Sequence, residues 1–232
     1  MQKIRNTNLT IPVEGKGQAS AILSLPEGAC KKTAVIVAHG AGNDMHNPLL
    51  ASFAEGLAVA GYPAMRFNFL YKERGAKAPD PEGTLIKTWQ SAYRVLHEVR
   101  DLDIDTWVAA GKSMGGRIAS QMVARGILPV DRIIFLGYPL HSASNKEKVR
   151  DAHLYQIKIP MLFFEGTRDP LCDLGRLQMV LKKLRTAWEL YTIEGGDHSF
   201  HVPKSTGVND EETHRRITHK AVEWLDSANV ES

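Results

Sequence analysis

Cysteine is scarce in this chain: two residues, Cys30 and Cys172, stand among 232. That excludes a small fold held together by a disulfide framework. Long apolar runs are missing too. No stretch approaches 18 consecutive apolar residues, so no membrane-spanning helix is expected. The opening segment MQKIRNTNLTIPVEGKG has no apolar core of the kind that marks a secretory leader, and the expected location is the cytoplasm. A charge excess is lacking as well. Lys+Arg is 29 and Asp+Glu is 26, leaving a net charge of +3 spread along the chain. Neither nucleic acid nor a membrane surface is expected as a partner on that basis. What remains is 43% hydrophobic and 24% charged, the profile of a globular protein. The length suits a single domain over residues 1–232, with a core that needs no staples.

Turn residues punctuate the chain every 10–20 positions, and strand-like and helix-like patterns alternate. That alternation predicts an α/β architecture with a mostly parallel sheet. Residues 8–13 and 18–25 read as a hairpin around Glu14-Gly15-Lys16-Gly17. Thr33–Ala38 is a β-branched run of the sort buried on both faces. Asn47 can cap a helix with Pro48 at its first position, and Gly61 ends it. After a short strand at Pro63–Phe67, a loop is expected through Arg74 and Pro81. A helix over roughly 83–100 then carries Leu85, Trp89, Tyr93 and Leu96 at helical spacing. Trp107–Gly111, Arg132–Leu136, Ile159–Phe164 and Trp188–Ile193 read as further strands. Asp173 can cap the helix that carries Leu174 to Leu184. His214, Arg215, Arg216 and His219 read as a polar face of the last helix. Only about twenty residues separate the strands near 136 and 159, which leaves no room for a large cap domain.

The sharpest chemical signal is Gly111-Lys112-Ser113-Met114-Gly115, a G-x-S-x-G nucleophile elbow. Composition alone produces this pattern in about 8% of such chains, so context decides. Here it follows the apolar strand WVAAG and precedes Ile118-Ala119, the strand–turn–helix setting that the chemistry requires. An acid and a histidine must then follow in that order. Asp169 lies in the loop after an apolar strand, 56 residues on, and His198 lies 29 residues beyond it, after the last strand. These roles follow: Ser113 as nucleophile, His198 as general base and acid, Asp169 as the carboxylate that orients the imidazole. Glu165 and Asp173 are rival acids, and His201 is a weaker rival histidine. His39-Gly40-Ala41-Gly42 follows the first buried strand, where backbone N–H groups can face an oxyanion. The expected donors are the N–H groups of Ala41 and Met114, with His39 tying loops together through its ring. Met45, Leu70, Tyr138 and Leu140 are expected pocket walls because each follows a strand. Cys172 reads as a small buried hydrophobe. His39 and His46 have no clustered partners at ligand spacing, so no metal is expected, and no cofactor.

HGAG at 39–42, GKSMGG at 111–116, EGTRDP at 165–170 and GGDHSF at 195–200 resemble the α/β-hydrolase superfamily in content and order. The likeness is strongest to its small, uncapped, dienelactone-hydrolase-like members. Within these, FNFLYKERG at 67–75 with Pro79-Asp80 resembles a branch related to a testis-expressed hydrolase-like protein and a non-specific-lethal complex subunit. The resemblance implies a mostly parallel eight-stranded sheet flanked by helices, with the N-terminal hairpin as its antiparallel edge. It also implies hydrolysis of a small-molecule ester or thioester through an acyl-enzyme. Dienelactone hydrolases proper carry a cysteine nucleophile where this chain has Ser113, so their substrate does not carry over. Two alternatives stand beside the hydrolase. One is a scaffold or binding protein on the same fold, since relatives in that branch act as complex subunits. The other is an acyltransferase or perhydrolase using the same three residues. The sequence leaves substrate and oligomeric state open.

Overall fold

A computed structural model describes residues 2–227 of the chain; the outermost positions of the expected domain, 1 and 228–232, lie outside the described residues. The polypeptide opens with a long hairpin, β1 (Ile4–Val13) and β2 (Gly17–Pro26), paired in register from Ile4 opposite Pro26 to Val13 opposite Gly17. Both strands run further than the sequence reading placed them. Next come β3 (Thr33–Ala38), α1 (Pro48–Val59), β4 (Ala64–Phe67) and the short α2 (Leu70–Glu73). Helix α3 (Glu82–His97) precedes β5 (Thr106–Lys112), α4 (Met114–Ala124) and β6 (Arg132–Leu136). The chain ends with β7 (Met161–Gly166), α5 (Leu174–Leu181), β8 (Trp188–Ile193) and α6 (Asp210–Ser227).

The eight strands form one sheet in the order β1-β2-β4-β3-β5-β6-β7-β8. Strands β3 to β8 are mutually parallel, and β2 joins them by antiparallel pairing with β4. Every residue of β3 is buried, at 5% exposure or less. Its alternate side chains feed two separate cores. Val35 and Val37 pack with Phe53, Leu57, Ile217 and Trp224 of α1 and α6. Ala34, Ile36 and Ala38 pack with Trp89, Ile118 and Met122 of α3 and α4. A strand covered on both faces has no solvent side, so its run of Ala, Val and Ile is what this position demands.

The chain leaves β3 toward β4 on one side and returns to β5 on the other. Successive crossovers in opposite directions put their helices on opposite faces, because each crossover is right-handed. The loops after β3 and β5 therefore part, and a crevice opens above the strand ends. Ser113 follows β5 there, and His39 follows β3.

Several local expectations are adjusted. Asn47 sits at the N-cap of α1 with Pro48 first, but its side chain makes no capping hydrogen bond. Asp173 does cap α5, accepting the N–H of Arg176 at 2.9 Å. The segment expected as plain loop contains α2, whose four residues are too few to show periodicity; Leu70 and Tyr71 are drawn inward by the core. Arg74 closes that loop by pairing with Asp80. His214 is buried rather than on a polar face, because it shares the stripe of Ile217, Thr218 and Ala221 at helical spacing.

Trp89 fixes α3 against α4. Its ring is fully buried beside Phe67, and its Nε1–H donates to the Gly115 carbonyl at 3.2 Å. Trp89→Ala should lower the unfolding free energy by about 3–5 kcal/mol, read from urea denaturation.

Candidate active site

Ser113 sits between β5 and α4 with φ +50° and ψ −114°, a backbone conformation that non-glycine residues rarely adopt. Neighbouring glycines make this tight turn fit. A Cβ on Gly111 would overlap the backbone nitrogen of Gly116, and one on Gly115 would lie 2.6 Å from the His39 carbonyl oxygen. Small residues two before and two after the serine are thus a steric requirement. The turn lifts the hydroxyl out of the sheet at the N-terminus of an 11-residue helix, where backbone N–H groups are unpaired.

The loop after β8 brings His198 to this hydroxyl. His198 Nε2 lies 2.8 Å from Ser113 Oγ, and Nδ1 lies 2.6 Å from Asp169 Oδ2. The Asp169 side chain has no exposed surface, whereas that of His198 keeps 21% exposure. Asp169 Oδ1 also accepts the Leu171 N–H at 2.7 Å. A carboxylate fixed in this way favours the imidazole tautomer with its proton on Nδ1 and leaves Nε2 to accept from the serine. The loops are joined to each other directly. Arg168 N–H donates to the Gly196 carbonyl at 2.9 Å, and Gly195 N–H donates to Thr167 Oγ1 at 2.8 Å. Asp197 Oδ1 accepts the N–H groups of Ser199 at 2.7 Å and His201 at 3.0 Å, which bends the histidine loop into place.

The rival residues are engaged elsewhere. Glu165 is fully buried inside the end of β7 and accepts the Tyr138 N–H. Burial, with Asp169 beside it, holds its carboxyl well above the usual carboxylate range. Asp173 caps α5, and His201 pairs with Asp210 at 2.9 Å. Cys172 is buried, and burial pushes its thiol up.

His39 ties the loop after β3 to the rest of the site. Its Nε2 accepts the Phe69 N–H at 3.0 Å, and its Nδ1 faces the Gly40 carbonyl at 2.8 Å. Asn43 N–H and the Tyr71 hydroxyl also donate to that carbonyl, at 3.3 and 3.4 Å. A trans peptide directs C=O and N–H to opposite edges, so three donors on the Gly40 carbonyl fix the direction of the Ala41 N–H. Among the described residues, neither Ala41 N–H nor Met114 N–H has a protein acceptor. Ala41 and Met114 both border the cleft that opens at Ser113.

That cleft, about 530 Å³, is bordered by Pro79, Leu85, Ile118, Pro139 and Leu171, with Arg117 and Arg150 among its polar residues. The four expected wall residues are elsewhere. Met45, Leu70, Tyr138 and Leu140 are buried at 6%, 2%, 0% and 0% exposure and do not border it. Residues just past a strand end still pack into the layers below, and the walls come from one layer further out. Arg117 and Ile118 had a readable signal, since they lie one helical turn after Ser113 on α4. Lys112 was unmarked as well. Its ammonium is buried without a hydrogen-bond partner among the described residues, 5.6 Å from the Phe200 ring centroid. Burial draws it down to about 8, against the pull of Glu165, Asp169 and Asp197.

An alpha/beta hydrolase domain family matches residues 31–226. Among solved structures, the chain is similar to a dienelactone hydrolase from Anabaena variabilis. The two share 21% identity over 97% of this chain and 98% of that one, with a TM-score of 0.74. It is also similar to an alpha-beta serine hydrolase homologue from Coxiella burnetii, at 19% identity over 94% and 96% of the two chains, TM-score 0.73. A lidless a/b serine hydrolase from Xanthomonas campestris shares 21% identity over 95% of both chains, TM-score 0.72. These likenesses establish the shared fold, and no cap interrupts the described residues between β6 and β7.

His39 generates a pH prediction. Burial lowers its imidazole to about 4, so the fold holds it neutral. Its contribution is fully present above the unfolded value near 6.5 and is lost as pH falls from there toward 4. Wild-type stability should drop across that window by roughly 3 kcal/mol from this group, at about 1.4 kcal/mol per pKa unit. Denaturant unfolding at stepped pH should show a shallower slope in His39→Gln.

Proposed function

The chain belongs to the alpha/beta hydrolase domain family, and from that premise we propose that it is a serine hydrolase cleaving a carboxylic ester or thioester through an acyl-enzyme. The observation that carries this reading is the continuous hydrogen-bonded series Ser113–His198–Asp169, at 2.8 and 2.6 Å. We read the chain as one domain, a reading supported by the single eight-stranded sheet of the described residues.

Ser113 Oγ attacks the carbonyl carbon while His198 Nε2 takes its proton. The carbonyl electrons move onto oxygen, facing the N–H groups of Ala41 and Met114. The carbon–oxygen or carbon–sulfur bond to the leaving group then breaks, and His198 returns the proton to the departing alcohol or thiol. Water repeats the cycle: His198 takes its proton, the hydroxide adds to the acyl carbon, and the acid departs as Ser113 Oγ regains a proton. Asp169 stays ionised throughout and stabilises the imidazolium formed in each half. The unpaired cysteines, Cys30 exposed and Cys172 buried, support a reducing compartment such as the cytoplasm. Among the described residues, no helix is long and apolar enough to cross a membrane.

The cleft size supports compact acyl groups. At about 530 Å³ it lies within the usual range for small-molecule sites, and no cap extends it. In a series of p-nitrophenyl esters, kcat/KM should peak at short acyl chains and fall more than tenfold by dodecanoate. A maximum at long chains would overturn the size assignment.

A fluorophosphonate should add one adduct to the intact protein, and Ser113→Ala should carry none. Asp169→Asn should retain the fold, by circular dichroism, and lose about 10⁴-fold in kcat through the wrong imidazole tautomer. Absence of an adduct on folded wild type would sink the proposal.

A further inference from the structure

The two carboxylates that border the cleft, Asp80 and Glu82, already have arginine partners. Asp80 pairs with Arg74, and Glu82 pairs with Arg125 at 2.9 Å. Two arginines bordering the same cleft, Arg117 and Arg150, have no carboxylate partner among the described residues. Arg117 makes no side-chain hydrogen bond and no ion pair among the described residues. Arg150 makes one hydrogen bond, from Nη1 to the Pro139 carbonyl at 3.3 Å, and no ion pair. Arg117 is half-buried on α4, one turn after the nucleophile; its N–H bonds the Ser113 carbonyl at 3.0 Å. Arg150 is exposed, but its backbone is clamped. Its N–H donates to Leu140 at 2.7 Å, and its carbonyl accepts the Tyr138 hydroxyl at 2.6 Å.

Two guanidiniums that share a cleft repel each other. Burial, followed by the charge of Arg150, holds Arg117 below the usual arginine range. Arg117 has given up part of its hydration and gained no carboxylate in exchange. Such a pair is mismatched in the free protein and matched by a bound oxyanion, which planar guanidiniums grip through paired N–H groups.

We propose that the cleft selects a substrate bearing an anionic group, held by Arg117 and Arg150 while its ester or thioester carbonyl lies at Ser113. This deepens the hydrolase reading and rests on it. The anion can sit on either side of the scissile bond, as a carboxylate on the acyl part or a phosphate on the leaving group. The hydrophobic wall of Leu85, Ile118 and Leu171 then contacts the linker between anion and carbonyl.

The test compares matched pairs of substrates. p-Nitrophenyl hemiglutarate against p-nitrophenyl pentanoate reports an acyl carboxylate. The acetyl thioester of 4′-phosphopantetheine against that of pantetheine reports a leaving-group phosphate. In at least one pair, wild type should favour the anionic member by tenfold or more in kcat/KM. That ratio should fall to within about twofold in Arg117→Met, which keeps an unbranched apolar stem, and to an intermediate value in Arg117→Lys. Arg150→Met should reduce the same ratio. Circular dichroism checks folding, and fluorophosphonate labelling of Ser113 in the same samples reports the nucleophile separately. Labelled wild type with no anionic preference in either pair overturns the proposal. So does a preference that survives both methionine substitutions. Wild type that neither labels nor turns over any of the four substrates removes the hydrolase reading itself.

Discussion

The turn at Ser113 is the constraint around which the other parts are arranged. Strand β5 and helix α4 meet with no connecting loop, and the residue between them is held at positive φ. For a non-glycine residue this costs of order 1–3 kcal/mol and persists only where the surroundings over-determine it. Here they do. The backbones of Gly111, Gly115 and Gly116 approach so closely that added methyl groups would collide, and Ala38 and His39 press on Gly115 from β3. Trp89 binds the Gly115 carbonyl from α3. The strain is thus maintained by packing from β3 and α3, and its product is a hydroxyl that stands clear of the sheet at a helix N-terminus.

Everything else must come to that fixed point. The strand order makes this possible, since parallel strands β5, β7 and β8 end on the same side of the sheet. It does not by itself deliver ångström placement, which comes from the bonds between loops. Asp169 is fixed by the Leu171 N–H, its loop is bonded to the glycines before His198, and Asp197 folds the histidine loop on itself. His39 does the same for the opposite wall. Its neutral ring accepts from one loop and faces a carbonyl of its own, so protonation would set two donors against each other at Phe69. Stability near neutral pH and the direction of the Ala41 N–H therefore depend on the same imidazole.

Much of this was legible in the sequence, for a physical reason. Strands buried on both faces must be apolar throughout, so Thr33–Ala38 and Ile159–Phe164 announced themselves. The elbow needs small residues at fixed spacing, so Gly111-x-Ser113-x-Gly115 did too. Chain order and loop position pointed to Asp169 and His198, and the structure brings both to Ser113. The cleft walls were misread. Position after a strand says that a residue is near the sheet's edge, not whether it faces the cleft or the core. Tyr138 and Leu140 face the core because the segment after β6 turns back over α4 and the 3-10 turn at Leu154–Gln156. Helix α2 escaped because four residues cannot show a 3.6-residue period. Lys112 escaped because nothing local marks a lysine whose ammonium will be buried.

The site places its charges according to depth. Deep charges, Lys112 and Glu165, lie in the body of the fold, and burial disfavours the charged form of each. Arg117 and Arg150 sit at the rim, where no cap shields the cleft. In an open cleft, apolar walls discriminate weakly, because a methylene group more or less remains partly in water. A charge pair keeps more of its selectivity, since an uncharged competitor leaves both guanidiniums unmatched while an anion satisfies them. Screening still acts, with a reach of about 8 Å at physiological ionic strength. The half-buried Arg117 is less exposed to it than Arg150. A lidless hydrolase that lacks an enclosing apolar pocket therefore gains discrimination most directly from a cation one helical turn beyond its nucleophile, and α4 supplies one there.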